Sequence, residues 1–190
     1  KTIKETENDR CVDIGVTRDC SYFLTEKYDE NKQEKKRTQT NLQCFRGALW
    51  SCGLNNYHQL GHPGVSKLLV PTKVDDIDRL KPIRKFFSLN LDSICQVKDR
   101  KITQFVCSRF HVALIVDDNQ LYTFGINAGQ LGHPKSSESV ISQPLLVTKF
   151  NSQSEQIEKL VSSDYAIVCY TKAGHIYVFN DYKIRKIVKQ

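Results

Sequence analysis

Short apolar runs separated by polar, glycine-bearing turns recur along the chain, and two of them recur with their turns attached. Ala48-Leu49-Trp50-Ser51-Cys52 runs into Gly53-Leu54-Asn55-Asn56-Tyr57-His58-Gln59-Leu60-Gly61-His62-Pro63. Leu121-Tyr122-Thr123-Phe124 runs into Gly125-Ile126-Asn127-Ala128-Gly129-Gln130-Leu131-Gly132-His133-Pro134. Each run has the length and aromatic-apolar composition of a strand. The glycine that ends it favours a left-handed turn. The asparagine two residues on can bond its own backbone, and Gln-Leu-Gly sets one apolar anchor among polar and flexible residues. Gly53, Asn55, Gln59, Leu60 and Gly61, with Gly125, Asn127, Gln130, Leu131 and Gly132, are therefore read as structural positions of a repeat rather than of an active site.

A second block precedes each strand. Ile102 to Ile115, with His111 at its centre, has a partner in Ile157 to Tyr170, and Ile176-Tyr177-Val178-Phe179 then lies under Leu121 to Phe124 at the same offset. A third copy is Ile14 to Leu24, where Cys20 takes the place of His111. The register advances 91 residues between the first two copies and 55 between the last two, and insertions at 27–45 and 80–100 account for the excess. A unit of strand, hairpin, strand and glycine turn thus occurs three times, and such a repeat decides the architecture. The predicted organisation is an N-terminal tail or cut end over 1–11, a first repeat over 12–74, a second over 75–147, and a degenerate third repeat with a C-terminal tail over 148–190. Residues 11–26 are read as the first repeat's strand. Val65 to Val74 is read as an inter-strand link, with Pro71 matched by Pro144. His111 to Val116 is nearly all apolar, as for a strand buried on both faces. Asp117-Asp118-Asn119 and Ala173-Gly174 read as hairpin turns.

The pattern aromatic-x-x-Gly-x-Asn-x-x-Gln-Leu-Gly, preceded by a His-x-x-Leu strand, resembles the regulator of chromosome condensation repeat. The resemblance covers residues 12 to about 182. It implies an all-β fold, a partial propeller of the seven-bladed type in which each repeat is a four-stranded antiparallel blade. Three such blades do not close a ring. Two departures stand out. Ser108, Thr17 and Ser163 occupy the position three before the repeat histidine, where the family has glycine, and Asn180-Asp181-Tyr182 replaces the glycine turn of the third repeat.

A closer resemblance is to members that join ankyrin repeats, a propeller of this type and BTB domains. It implies a non-catalytic protein-binding scaffold that lowers the activity of a cytoplasmic tyrosine kinase, with a cullin ubiquitin ligase as a further partner through other domains of the parent protein. It also implies a cytoplasmic, and also nuclear, location. The alternative within the family is a guanine nucleotide exchange factor for a small GTPase, or a chromatin-binding propeller.

Composition adds limits. The sequence has 190 residues, 39% hydrophobic and 26% charged, as in globular domains. It contains no Met and begins at Lys1, so it reads as a segment of a longer polypeptide. No apolar run reaches membrane-spanning length. The seven cysteines (Cys11, Cys20, Cys44, Cys52, Cys95, Cys107 and Cys169) include no C-x-x-C pair, and no glycosylation sequon occurs, which favours a reducing compartment. No hydrolase, zincin, phosphate-loop or dinucleotide motif is present, so no catalytic residue, cofactor or metal site is assigned. His111 reads as a core histidine donating to a backbone carbonyl.

The net charge of +7 would suit nucleic acid, but no aromatic-basic motif of such a binder accompanies it. No nucleic-acid partner is expected. Lys27 to Thr40 is too charged to bury much apolar surface and reads as a disordered hairpin tip. Leu80 to Arg100 mixes basic and aromatic residues and reads as a short helix or an extra strand. Lys32, Lys35, Lys36 and Arg37 of the first insertion, with Lys81, Arg84 and Lys85 of the second, are the candidate docking residues for a protein partner.

Overall fold

The computed structural model describes residues 9–27, 47–74, 101–117, 119–135, 137–150 and 155–187. They form three antiparallel sheets of four strands, each laid down in chain order. The first sheet holds β1 (Asp9–Val16), β2 (Cys20–Lys27), β3 (Gly47–Leu54) and β4 (Lys67–Lys73). In the second are β5 (Ile102–Cys107), β6 (His111–Val116), β7 (Gln120–Ile126) and β8 (Val140–Leu146). The third contains β9 (Ile157–Ser162), β10 (Ile167–Thr171), β11 (Ile176–Asn180) and β12 (Lys183–Ile187). A 3-10 turn over Thr148–Phe150 leads from the second sheet toward the third. Among the described residues there is no α-helix. The fold is an all-β, partial propeller, each sheet one blade.

Four expectations need correction. Residues 11–26 are two strands joined by a turn, and the first begins at Asp9, inside the expected tail. The segment read as a link is the outer strand β4. Its proline cannot donate to a ladder, and a bulge accommodates it. Here Thr72 pairs with Ser51 and Leu68 with Gly53, so Leu69, Val70 and Pro71 bulge opposite Cys52 alone. Pro144 sits in the same bulge of β8, between Leu145 opposite Thr123 and Ile141 opposite Gly125. At the third repeat's glycine-turn position, Asp181 and Tyr182 form a two-residue hairpin turn closed by Asn180 and Lys183, both turn residues left-handed at φ 49° and 56°. The first strand of every blade also bulges at one repeat position: Val12, Thr103 and Glu158 each lack a direct partner.

The core lies between blades as much as within them. β6 is buried along its whole length, as its unbroken apolar run requires. Tyr22 of the first blade packs its ring against Phe105 of the second at 6.2 Å. Phe150 meets Phe179 and Tyr177 of the third at 5.6 and 4.9 Å. The first strands β1, β5 and β9 adjoin one another, and Gln104 of β5 donates to the Glu158 carbonyl of β9 at 2.7 Å. Cys20, Cys52, Cys107 and Cys169 all lie in strands with free thiols, as expected of small apolar side chains. The insertions, and with them Lys32, Lys35, Lys36, Arg37, Lys81, Arg84 and Lys85, lie outside the described residues.

Candidate functional site

Up-and-down order puts the hairpins that join first to second strands at the same end of the blades as the long loops that join third to fourth. Both long loops are closed at the neck in the same way. Asn55 N–H donates to the Ser66 carbonyl and Asn127 N–H to the Ser139 carbonyl, both at 2.8 Å. Inside the first loop, Asn55 Nδ2 donates to the carbonyls of His62 (3.0 Å) and Val65 (2.6 Å), and its Oδ1 accepts Leu60 N–H at 2.9 Å. The second loop is one residue longer, although it is one residue shorter between its asparagine and its glutamine. There Asn127 Nδ2 reaches the Glu138 carbonyl at 3.3 Å, while its Oδ1 is buried without a partner.

The glutamine pins each loop to its own blade. Gln59 accepts Tyr57 N–H at 2.9 Å and donates to the Leu54 carbonyl at 3.1 Å; Gln130 accepts Ala128 N–H and donates to the Ile126 carbonyl, both at 2.9 Å. Ser51 and Thr123, equivalent in β3 and β7, donate to the carbonyls of the buried Leu60 and Leu131 at 2.8 Å. The glycine that follows faces the next blade. A Cβ on Gly61 would lie 3.1 Å from the Phe124 ring, and one on Gly132 only 2.8 Å from that of Phe179. All ten loop positions, and His111, are thus hydrogen-bonding, packing or close-approach residues of the blade, buried or half-buried.

The three short hairpins share one turn. Thr17, Ser108 and Ser163 donate their N–H groups to the carbonyls of Cys20, His111 and Ala166, each at 2.9 Å. Their hydroxyls accept a backbone N–H from the same turn: Cys20 at 3.2 Å, Phe110 at 3.3 Å and Ala166 at 3.1 Å. A hydroxyl-capped turn is the physical alternative to the glycine that the family carries there.

His111 is fully buried and joins two blades. Gln130 Nε2 donates to its Nδ1 at 3.2 Å, with Ser108 Oγ 2.9 Å from the same nitrogen. An accepting Nδ1 puts the ring proton on Nε2, which donates to Ser162 Oγ of β9 at 2.9 Å. The partner is a hydroxyl of the next blade, not the backbone carbonyl that the sequence suggested. Burial lowers the ring's pKa to about 4, against a smaller opposing effect of Asp164. Ser162 is not a nucleophile with His111 as its base, because the imidazole donates its Nε2 proton to that hydroxyl, and Ser108, whose hydroxyl faces the accepting Nδ1, is buried inside the turn. At the previous blade boundary Cys20 and Cys107 stand at the positions of His111 and Ser162. Cys20 Sγ donates to the Leu54 carbonyl at 2.9 Å and accepts from Gln59 Nε2 at 3.3 Å. Burial raises both thiols, Cys107 to about 11, so neither is an activated thiolate.

A cavity of about 300 Å³ opens along the first strands, lined by Asp13, Gly15, Phe105, Cys107, Leu160 and Ser162. Its Ser162 hydroxyl is already committed to His111. Among the described residues no cluster of His, Cys, Asp or Glu could hold a metal ion. No helix among them is long and apolar enough to cross a membrane.

The loop end also carries a cluster to which the sequence assigned no role. Tyr57 of the first long loop meets Phe110 of the second blade's hairpin edge-on at 4.8 Å. The Arg109 guanidinium lies 5.1 Å from the Phe110 ring and 5.8 Å from that of Tyr57. Asp164 of the third blade accepts Arg109 N–H at 3.1 Å, and Tyr165 beside it is 80% exposed. The signal was an Arg-Phe pair in a hairpin and a tyrosine two residues after the repeat asparagine; nothing in the sequence says that they touch.

A family model described as "Regulator of chromosome condensation (RCC1) repeat" matches residues 46–88. The protein called inhibitor of Bruton tyrosine kinase from Mus musculus is 30% identical over 144 residues, 74% of this chain and 9% of that relative, so the chain spans about a tenth of its length. Prp20p of Saccharomyces cerevisiae, a structure described with its binding to Gsp1p and histones, superposes with a TM-score of 0.56 at 15% identity, covering 90% of this chain and 32% of that one. Human WBSCR16 superposes with a TM-score of 0.57 at 12% identity, covering 98% of this chain and 54% of that one. These structural likenesses establish the fold alone.

Proposed function

Because this chain belongs to the regulator of chromosome condensation repeat family, we propose that it is a protein-binding propeller segment in a scaffold that lowers the activity of a cytoplasmic tyrosine kinase. The observation that carries the reading is the 30% identity to the inhibitor of Bruton tyrosine kinase across 74% of the chain. The site supports binding over catalysis. Its polar side chains are spent on bracing loops and seams: Ser162 accepts from His111 Nε2, and Ser108, against Nδ1, is buried inside its own turn. Cytoplasmic location, and a ubiquitin-ligase link through other parts of the parent protein, belong to the same proposal. Lys32, Lys35, Lys36, Arg37, Lys81, Arg84 and Lys85 are proposed as further docking positions.

The test is capture of a purified cytoplasmic tyrosine kinase of the Bruton type on the immobilised chain, with the kinase's autophosphorylation rate read alongside. Saturable capture with slower autophosphorylation is expected. Capture by the whole parent protein but not by this chain would move the contact elsewhere and overturn the docking reading. Accelerated nucleotide release from a small GTPase would favour the exchange-factor alternative.

A further inference from the structure

We propose that Arg109 anchors a docking surface for an acidic segment of a partner protein, laid across the hairpin turns of the blades' loop end. The proposal rests on the protein-binding reading and names the chemistry of one contact. Its basis is the state of the guanidinium. Two rings from different blades, Tyr57 and Phe110, have their centroids within 5.8 Å of its Cζ. Its Nε is buried and has no acceptor, although the residue as a whole is only half-buried. Among the described residues no carboxylate pairs with it. Asp164, which lies against its backbone, spends Oδ1 on the Arg109 N–H.

Nε itself is closed to solvent, so a partner carboxylate meets the guanidinium at its two Nη groups, which no carboxylate among the described residues occupies. A planar, stacked guanidinium loses little freedom on pairing, and its fork matches a carboxylate edge. The surroundings have the composition of an interface centre. Tyrosine and arginine dominate binding hot spots; Arg109 packs against the aromatic pair, and its backbone N–H is held by Asp164, next to the exposed Tyr165. Arg18, exposed on the first hairpin, supplies a second cation at the same end, while Asp19 and Asp164 restrict the acidic approach to the neighbourhood of the arginines.

The experiment is an NMR titration of the intact chain, following the arginine Nε–H and tyrosine ring signals. The probes are a blocked ten-residue peptide of Asp, Glu and Gly, its Asn/Gln counterpart, and a phosphotyrosine peptide of equal charge. The acidic peptide should move the Arg109 and Tyr57 signals saturably and the amide peptide should not. Arg109→Lys keeps the charge but loses the fork and should weaken the acidic peptide at least about tenfold. Tyr57→Leu, which frees the side chain, should weaken it less. An unchanged backbone spectrum confirms that each variant is folded. The proposal is overturned by no shift at Arg109, by equal affinity in Arg109→Lys, by equal response to the amide peptide, or by clear preference for the phosphopeptide. If Arg109→Lys captures the kinase as the wild type does, the proposed function survives and this anchor does not.

Discussion

His111 hands its Nε2 proton to Ser162 across a blade boundary, 2.9 Å away, because Gln130 of its own blade occupies Nδ1 from the other side. The seam therefore needs a neutral ring, and its strength depends on pH. The folded-state pKa is depressed from 6.5 to about 4, chiefly by burial. Between those values the unfolded chain binds a proton that the folded chain refuses, so stability falls as pH falls. The full contribution is present above 6.5 and is lost as pH drops through about 4, a loss on the order of 3 kcal/mol. Urea midpoints of wild type and His111→Gln, measured from pH 7 to pH 4, should converge as the pH drops. Parallel curves would show that the ring does not titrate with folding.

The repeat, its turns and its buried strand were legible because each is a local pattern. Even the bulges at Val12, Thr103 and Glu158 keep the spacings of 91 and 55 that the sequence repeat shows. Outer strands were harder. Pro71 and Pro144 argue against a strand on local grounds, yet a bulge on an outer strand tolerates them. The third blade's turn was illegible for the opposite reason: Asp181 and Tyr182 take left-handed conformations that glycine usually fills. What holds them is tertiary. Tyr182 donates its N–H to the Gly129 carbonyl at 2.9 Å and its hydroxyl to the Asn127 carbonyl at 3.1 Å. The Tyr57–Arg109 contact joins two repeats, and such pairs leave no mark on either segment alone.

Gly132 and Gly64 separate the two costs of a side chain at a left-handed position. Gly132 has φ 79°, and an added Cβ would come within 2.8 Å of Val147 and Phe179. Gly64 has φ 71° and nothing within 4 Å. Gly64→Ala should cost only the backbone term, about 1–2 kcal/mol. Gly132→Ala should add overpacking against the next blade, a further 1–3 kcal/mol or so. Equal shifts in urea midpoint would mean that the blades part freely at this contact.

Charge reversal tests the proposed basic docking positions. With Lys32, Lys35, Lys36 and Arg37 changed to Glu, the association rate with the kinase should drop at low salt and approach wild type at high salt, since such charges steer encounter. The dissociation rate should change little. Wild-type association at low salt would remove these residues from the interface.

The two blade seams invite an exchange. Cys20 stands where His111 stands, Cys107 where Ser162 stands, Gln59 where Gln130 stands and Thr17 where Ser108 stands. The first seam thus already holds the partners that orient an imidazole: Gln59 Nε2 lies 3.3 Å from Cys20 Sγ, and Thr17 Oγ1 caps the same turn. Cys20→His alone puts a larger, polar ring beside Tyr22 and should destabilise the chain by overpacking, about 1–3 kcal/mol. Cys107→Ser alone leaves a hydroxyl without the imidazole donor that Ser162 has. Together they supply the missing hydrogen bond, so the double variant should be more stable than the sum of the single changes by about 0.5–1.5 kcal/mol. A double-mutant cycle by urea denaturation at pH 7.5, where the new ring is neutral, measures that coupling. A coupling of zero would show that the first seam is closed by apolar packing around Tyr22 and Phe105 and has no place for the bridge of the second.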